Sequence, residues 1–364
     1  MGQLYNLIFR KKLYSQFLDT KNLERRRMSW DRYLPLREAE LREDGYITPP
    51  YVIDAHTHLH RHVPPAGHRP FRDFYEVSEQ LVRNPSFINP EILIREMDRY
   101  GIDMAIVNCA AGMNVPYKEL AKLISKYHDR LIGFVWVIGP EEDVTPEEAA
   151  ERFDEALRMP EFKGVGEVPY AMLQPVMEPV MEVIAKHRAP ILFHTGPAPY
   201  KHKLEITKET RKKLLKRGGF LRLSDPIYID DIARLYPEIP FIIGHCGVQG
   251  CFYFGSFPDH ALMVAAINEN VYLETSMAPP EVIEKAVVDP AIGAEKLIFG
   301  SDFGATSGYY LYRGNIYPSY KKKPHPEQSG YHIKRALDVI NQVPMPEEER
   351  RLILGQNIAR LLRL

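Results

Sequence analysis

After Pro50 the chain alternates between short apolar runs and longer segments with helical patterns. The short runs are rich in β-branched and aliphatic residues, which favours strands, and the longer segments carry apolar residues at helical spacing. Strands that alternate with helices form parallel sheets, because each helix carries the chain back to the start of the next strand. The pattern predicts eight strands, over residues 51–59, 104–110, 131–137, 163–168, 190–196, 241–247, 271–276 and 297–304.

Eight strand-helix steps over about 250 residues match the usual size of a closed (β/α)8 barrel, or TIM barrel. We therefore predict an α/β fold of this type over residues 49–364. A doubly wound open sheet is the alternative, but no GxGxxG or GxxxxGK(S/T) phosphate loop follows any predicted strand. Residues 1–48 are rich in charge and predict an N-terminal helical extension, and residues 346–364 predict an amphipathic helix packed on the barrel wall.

Composition limits the classes of partner. The chain has 47 lysine and arginine residues against 48 aspartate and glutamate residues, so no overall field attracts nucleic acid or anionic lipid. The apolar stretch from Leu4 to Phe9 is too short to span a membrane and is followed by charge, so we expect no signal peptide and no anchor there. The three cysteines, Cys109, Cys246 and Cys251, lack the pattern of a disulfide framework, which favours a reducing, cytoplasmic setting. We expect a small-molecule substrate, no nucleic acid and no membrane, and leave assembly into a homo-oligomer open.

The first predicted strand ends in two histidines, in the sequence Asp-Ala-His-Thr-His. Side chains alternate along a strand, so His56 and His58 point the same way. If that direction is the barrel interior, two imidazole nitrogens are ready to bind a cation such as zinc. An isolated pair of this kind is weak support, and an incidental origin stays open.

Two later strands repeat one arrangement, in which an apolar run ends in a histidine and a glycine follows two residues on. These histidines are His194 and His245. Residues at the carboxyl ends of barrel strands line the active-site face. Either one alone could be a core histidine with other partners, but their matching positions favour a shared site.

The last predicted strand ends in a carboxylate, Asp302. An unpaired aspartate buried after a largely apolar run would cost several kcal/mol, so a metal or a proton partner is expected nearby. We interpret Asp302 as a metal ligand or a general base. The alternative is a cap at the start of the next helix.

Taken in order, these features resemble the amidohydrolase superfamily, in its amidohydrolase-related branch (amidohydrolase 2) of metal-dependent hydrolases and decarboxylases. The resemblance spans about residues 51–364. It rests on five marks: Asp54 to His58, His194, His245, the pair Ser301 and Asp302, and the closing segment 353–362.

The resemblance implies a ligand set and a division of roles. His56, His58, His194 and Asp302 would hold a divalent metal, with zinc as the expected ion. His245 would bind a second metal or act as acid and base beside the first. A divalent metal lowers the pKa of bound water to about 7 and polarises the bond under attack. Asp302 would take the proton from that water, which makes Asp302 and His245 the candidate catalytic residues.

Glu167 ends the fourth predicted strand. Members of the superfamily with two metals commonly place a bridging carboxylate at this strand end, so Glu167 is the candidate bridge. In a site with one metal, Glu167 would instead orient the substrate or a ligand histidine. Decarboxylase relatives generally lack this glutamate, and its presence therefore favours hydrolysis.

Three functions stay open at this stage. The first is a metal-dependent hydrolase that cleaves an amide, lactone or related ester bond of a small molecule. The second is a metal-dependent, non-oxidative decarboxylase of an unsaturated or aromatic carboxylic acid. The third is a non-catalytic binding protein on a barrel scaffold, since fold alone does not establish activity.

Two segments near the predicted barrel mouth have biased compositions. Residues 201–217 carry eight lysines and arginines, which could attract an acidic substrate, although a solvated helix face is favoured. Residues 309–320 are rich in tyrosine, and long loops at this face often contact the substrate. We expect substrate contact from some of these tyrosines.

Overall fold

The computed structural model describes residues 52–59, 90–109, 116–138, 144–169, 173, 176–196, 225–248, 257–304 and 331–364. The predicted N-terminal extension (1–48) and the segments 201–217 and 309–320 lie outside the described residues. The division between an extension and a barrel domain therefore stays a prediction. None of the described helices is long and apolar enough to cross a membrane.

The described strands form one parallel, eight-stranded sheet in which each strand pairs with the next along the chain. Backbone hydrogen bonds from Ala55 to Phe299 (3.0 Å) and from His58 to Phe303 (2.7 Å) join the first strand to the end of the last. The predicted (β/α)8 barrel is confirmed. The strands are β1 (Ile53–Thr57), β2 (Met104–Asn108), β3 (Leu131–Val135), β4 (Phe162–Pro169), β5 (Ile191–His194), β6 (Phe241–Ile243), β7 (Val271–Glu274) and β8 (Leu297–Ile298).

A helix follows each strand, and three further helical pieces end the chain. The helix α3 illustrates how the sequence starts these elements, because Thr145 and Glu148 form a capping box and Pro146 occupies the first turn. The helices are α1 (Pro90–Tyr100), α2 (Tyr117–Ile124), α3 (Pro146–Leu157), α4 (Met177–His187), α5 (Ile227–Leu235), α6 (Pro258–Ile267), α7 (Pro280–Val288), α8 (Tyr331–Gln342), α9 (Glu347–Arg351) and α10 (Asn357–Leu362), with a π-helical turn Leu352–Gln356 between the last two.

Two apolar layers hold the barrel. The larger lies between the strands and the surrounding helices, and the smaller contains alternate strand residues such as Ile106, Phe134 and Ile298. Ile358 and Leu362 of α10 belong to this smaller, interior layer. The C-terminal segment packs on the barrel as predicted. Ile353 and Leu354 join the larger layer outside the strands, and Ile358 and Leu362 contact the interior.

Several strands are shorter than the sequence pattern predicts. β6 ends at Ile243 and β8 ends at Ile298, so His245 and Asp302 lie in turns beyond the strands. Both residues have left-handed backbones, with φ of 59° and 57°. The predicted boundaries are wrong here because the turns are as buried as the strands, and burial leaves the same apolar signature in both.

Candidate metal centre

The six residues predicted for the site meet at the carboxyl ends of five barrel strands. All are buried except His194, whose side chain is 17% exposed. The pairing of β1 with β2 shifts register between Asp54 and Thr57, and this local irregularity lies at the first two histidines. The six residues are His56, His58, Glu167, His194, His245 and Asp302.

His56 and His58 face each other through their Nε2 atoms, which lie 3.1 Å apart. The other nitrogen of each ring faces an acceptor. Nδ1 of His56 lies 2.8 Å from Oε2 of Glu274, and Nδ1 of His58 lies 3.2 Å from the backbone oxygen of Asn108. When the proton of each neutral ring is on Nδ1, each Nε2 atom can bind a cation that displaces any proton shared there with a carboxylate.

Glu167 lies between two pairs of imidazoles. Its Oε2 atom is 3.3 Å from Nε2 of His56 and 3.5 Å from Nε2 of His58. Its Oε1 atom is 2.6 Å from Nδ1 of His194 and 3.2 Å from Nε2 of His245. Each oxygen of the Glu167 carboxylate therefore contacts one pair of histidines.

Asp302 approaches the first pair from the segment after β8. Its Oδ1 atom lies 3.2 Å from Nε2 of His58 and 3.6 Å from Nε2 of His56. The left-handed backbone at Asp302 is followed by Gly304, which also has positive φ. This turn brings the carboxylate to the histidines although the strand has already ended.

The donor atoms around the first pair have the spacing of a metal site. Zinc bonds nitrogen and oxygen ligands at about 2.0–2.1 Å, which places neighbouring ligands of a tetrahedral site about 3.3 Å apart. The five distances among His56, His58, Glu167 and Asp302 run from 3.1 to 3.6 Å. A second group of donors, Glu167, His194 and His245, also lies within 4.8 Å of one another. The residues fit one divalent ion and offer ligands for a second; nitrogen and carboxylate donors suit zinc or manganese.

Charge in this cluster is balanced between carboxylates and imidazoles. Burial raises the pKa of Glu167, but the charges of His194 and His56 outweigh it and hold this pKa well below its ordinary value. Burial also raises the pKa of Asp302. The hydrogen bond from His58 and the charges of the nearby imidazoles outweigh burial and lower this pKa to about 2. Burial lowers the pKa of His56, yet Glu167 and Glu274 raise it well above the ordinary value. A metal ion that enters this cluster therefore replaces protons held by the imidazoles.

Two buried carboxylates beside the site were not among the predicted residues. Asp54 accepts hydrogen bonds from the backbone N–H groups of His56 (3.2 Å) and Ser301 (2.9 Å). Burial raises its pKa to about 7, although these bonds and the Ser301 hydroxyl act against the rise. Its place in the Asp-Ala-His-Thr-His motif was the signal that could have identified it.

Glu274 ends β7 and is fully buried behind His56. Burial raises its pKa, but the charge and hydrogen bond of His56 outweigh this and lower it below the ordinary value. The signal in the sequence was an apolar strand that ends in a carboxylate, Val-Tyr-Leu-Glu, which is the feature that identified Asp302.

A family model described as "Amidohydrolase" matches residues 53–364. Comparison with curated proteins gives no match. The match to the family model thus covers the whole described barrel and all six predicted site residues.

Solved structures share the barrel at low sequence identity. A dihydroxybenzoic acid decarboxylase from a Polaromonas species, with bound manganese and 2-nitroresorcinol, is 18% identical with a TM-score of 0.53, covering 86% of this chain and 97% of that chain. A 5-carboxyvanillate decarboxylase from Novosphingobium aromaticivorans, complexed with manganese and a nitrobenzoic acid, is 16% identical (TM-score 0.50; 88% and 97% covered). A probable 2-pyrone-4,6-dicarboxylic acid hydrolase from Acinetobacter baumannii, with citric acid bound, is 14% identical (TM-score 0.50; 86% and 99% covered). At these identities the likeness shows a common fold.

Proposed function

The chain belongs to the amidohydrolase superfamily of metal-dependent enzymes, and from this premise we propose that it hydrolyses an amide, lactone or related ester bond of a small molecule. The resemblance assigns the metal ligands to the carboxyl ends of the strands, where the six predicted residues lie. Their individual roles belong to this proposal.

The position of Glu167 is the observation that supports hydrolysis. Its two oxygens face His56 and His58 on one side and His194 and His245 on the other, at 2.6 to 3.5 Å. A carboxylate shared in this way suits a bridge between two ions. In this proposal His56, His58 and Asp302 would hold the first ion. His194, which the resemblance assigned to the first ion, would instead join His245 at the second, because both contact Oε1 of Glu167.

The bound metal supplies Lewis acidity, which polarises the bond under attack and makes water a stronger acid. Asp302 is the proton acceptor in this proposal. The hydrogen bond from His58 and the charges of the neighbouring imidazoles hold its pKa at about 2, so its carboxylate is ionised at neutral pH and would accept a proton from the attacking water. Asp302 then passes the proton to the leaving group, whose departure as an anion would otherwise be slow.

His194 and His245 lie on one side of Glu167. His56 and His58, which contact Asp302, lie on the other side. His194 is the most exposed of the six side chains, which gives it the readiest access to a substrate that enters from solvent. His245 is buried and hydrogen-bonded through Nδ1 to Ser276 at 2.7 Å. Its Nε2 atom would complete the second metal site through its lone pair, or would stabilise the oxyanion that develops during attack if it donated a proton instead.

Non-oxidative decarboxylation is the second candidate. Two of the similar structures are decarboxylases with bound manganese, and they favour this reaction although their likeness extends only to the fold. The same ligands would serve it, but a proton would be delivered to the carbon that loses its carboxyl group. Manganese is therefore a candidate ion as well as zinc.

The substrates named for the similar structures guide the choice of compounds. Dihydroxybenzoic acid, 5-carboxyvanillate and 2-pyrone-4,6-dicarboxylic acid are all cyclic, unsaturated carboxylic acids. We therefore expect a small cyclic acid, or a lactone that bears a carboxylate, among the substrates. Lactones, amides, esters and aromatic acids together make the test panel.

The deciding experiment is mass-spectrometric analysis of products from this panel, with protein loaded with zinc or with manganese. Hydrolysis in heavy-oxygen water places the label in the product acid, whereas decarboxylation in deuterated water places deuterium on the carbon that lost carbon dioxide. An Asp302→Asn variant controls for contaminating enzymes. Release of carbon dioxide without gain of water would overturn hydrolysis, and protein without any bound divalent ion would argue for a binding protein.

A further inference from the structure

Glu274 accepts four hydrogen bonds inside the barrel. Its Oε2 atom accepts from Nδ1 of His56 (2.8 Å), from the backbone N–H of His245 (3.0 Å) and from the hydroxyl of Ser276 (2.8 Å). Its Oε1 atom accepts from the backbone N–H of Ser276 (2.5 Å). An ionised carboxylate has about four acceptor sites, and several donors hold it in the ionised form. Oε2 of Glu274 is therefore surrounded by donors, and Oε1 has one.

The hydroxyl of Ser276 then fixes the proton of His245. Ser276 has one hydroxyl hydrogen, and an ionised Glu274 can only accept, so that hydrogen points to Glu274. The Ser276 oxygen is left as acceptor for Nδ1 of His245, at 2.7 Å. His245 consequently carries a proton on Nδ1 and directs Nε2 towards Glu167, 3.2 Å away.

A cation is required between His245 and Glu167 in this arrangement. The Nε2 lone pair and a carboxylate oxygen would otherwise repel each other at 3.2 Å. A proton shared between the two groups or a metal ion meets this need. The orientation of His245 is therefore compatible with a second metal site but does not by itself require one.

Gly300 encloses the same carboxylate. A Cβ atom at this position would lie 2.8 Å from Cδ of Glu274 and 2.8 Å from Cβ of His56, and closer still to Oε1 of Glu274. These are shorter than van der Waals contact, so glycine makes room for the carboxylate to reach His56.

We propose that Glu274 is a positioning residue for two histidines at once, acting on His56 directly and on His245 through Ser276. It keeps a proton on Nδ1 of each ring, so that both rings turn Nε2 to the centre. This inference rests on the proposed function for one point only, that His56 is a metal ligand. Loss of the carboxylate should disturb both histidines. Loss of the Ser276 hydroxyl should disturb His245 more than His56, because the Ser276 oxygen lies 2.7 Å from Nδ1 of His245 but 3.4 Å from Nδ1 of His56.

The first test measures zinc affinity of the full chain by competition with a chromophoric chelator. Glu274→Gln keeps the shape but places an amide N–H₂ against donors, and outer partners of this kind typically contribute about 10–100-fold in metal affinity. Thr275→Val is the matched control, because Thr275 is a buried neighbour on the same segment whose hydroxyl receives only a 3.4 Å bond from Gly300. An unchanged affinity in Glu274→Gln, or an equal loss in Thr275→Val, would overturn the proposal.

The second test reads the histidine tautomers by NMR of protein labelled with nitrogen-15 at histidine, with His245 identified by its loss in His245→Gln. Ser276→Ala should shift the His245 ring signals away from the pattern of an Nδ1 proton, while His56 keeps its Nδ1 proton through Glu274 and changes less. Ser276→Thr restores a hydroxyl and should restore the pattern. A His245 spectrum that is the same in wild type and Ser276→Ala would overturn the relay, and this variant remains informative if Glu274→Gln does not fold.

Neither measurement depends on turnover. If the expected shifts appear while the product analysis finds no hydrolysis, the positioning role stands and the proposed reaction fails. If hydrolysis is found while both variants behave as wild type, the reaction stands and the positioning role fails.

Discussion

The carboxylate of Asp54 accepts hydrogen bonds from both the backbone N–H and the hydroxyl of Ser301, and so joins the first barrel strand to the segment after the last. Asp54 precedes His56 by two residues, and Ser301 precedes Asp302 directly. The contact therefore holds His56 and Asp302 close together, with Nε2 of His56 3.6 Å from Oδ1 of Asp302.

Replacing Ser301 by alanine tests this connection. The variant leaves an oxygen of Asp54 unsatisfied in a buried place and removes the acceptor for the Phe303 N–H (3.1 Å), so we expect the free energy of unfolding to fall by about 1–3 kcal/mol. Urea denaturation measures this loss. Ser125→Ala is the control, because that hydroxyl makes an exposed bond to Lys122 and should change stability by less than about 0.5 kcal/mol. Equal effects of the two substitutions would contradict the role of the Asp54 contact.

The barrel and the six residues of the candidate metal centre could be predicted from the sequence because both predictions depend on local patterns. Apolar runs locate the strands, and the histidines of β1 and β5 fall at strand ends, where barrel geometry brings them together. His245 and Asp302 were identified as site residues, but their left-handed turns were not. Periodicity carries no information on φ once an apolar run continues into a buried turn.

The contact between Glu274 and His56 could not be predicted from the sequence. A single carboxylate at a strand end has no partner visible in the sequence, since His56 is 218 residues away. Only the closure of the barrel places β7 and β1 so that this bond forms. The tautomers of His56 and His245 follow from that contact, and they could not be predicted without it.

Replacing Glu167 by glutamine tests the bridge. The amide keeps the shape of the side chain but cannot neutralise two cations, so we expect metal content to fall from two ions per chain to about one. Metal analysis of protein saturated with zinc and then desalted measures the stoichiometry. One ion per chain in both wild type and variant would instead support a site with a single metal, in which Glu167 orients His194 through its 2.6 Å contact.

Zinc affinity should weaken as pH falls. Despite burial, Glu167 and Glu274 hold the pKa of His56 well above the ordinary 6.5, so the imidazole keeps its proton near neutrality until the metal displaces it. Each released proton should weaken binding by about tenfold for every unit of pH decrease. Chelator competition over a pH series measures the slope, and calorimetry in buffers of different ionisation enthalpy counts the protons. Affinity that does not vary with pH would show that zinc displaces no proton.

Glu96 on α1 gives a pH effect that is separate from the metal site. Its side chain is 2% exposed, and its Oε2 atom has no hydrogen-bond partner among the described residues. Burial raises its pKa above the ordinary 4.5, more than Arg99 and Arg95 lower it. The folded protein therefore binds this proton more tightly than the unfolded chain, and the contribution to stability is lost as pH rises through the raised pKa.

Glutamine does not ionise, so the Glu96→Gln variant should not lose the stability that wild type loses when this carboxyl ionises. The free energy of unfolding of the variant minus that of wild type should therefore increase from pH 4 to pH 7. Urea denaturation at the two pH values measures the change. Glu155→Gln is the control with the opposite sign, because a hydrogen bond from Lys118 lowers the pKa of that exposed carboxylate. A relative stability of Glu96→Gln that falls with rising pH would contradict the cost of burying this charge.

Replacing Gly300 by alanine should weaken both the fold and the metal site. The added methyl would press on Glu274 and on Cβ of His56, and overpacking of this kind costs about 1–3 kcal/mol. Gly133→Ala on β3 is a matched control, since its Cβ would lie 2.5 Å from the ring of Phe162, on a strand that provides none of the six site residues. Both variants should lose stability in urea, but only Gly300→Ala should also lose zinc affinity. Equal zinc affinity in Gly300→Ala and Gly133→Ala would contradict this prediction. The space at Gly300 would then matter for packing alone, and Glu274 would not need its present position to hold His56.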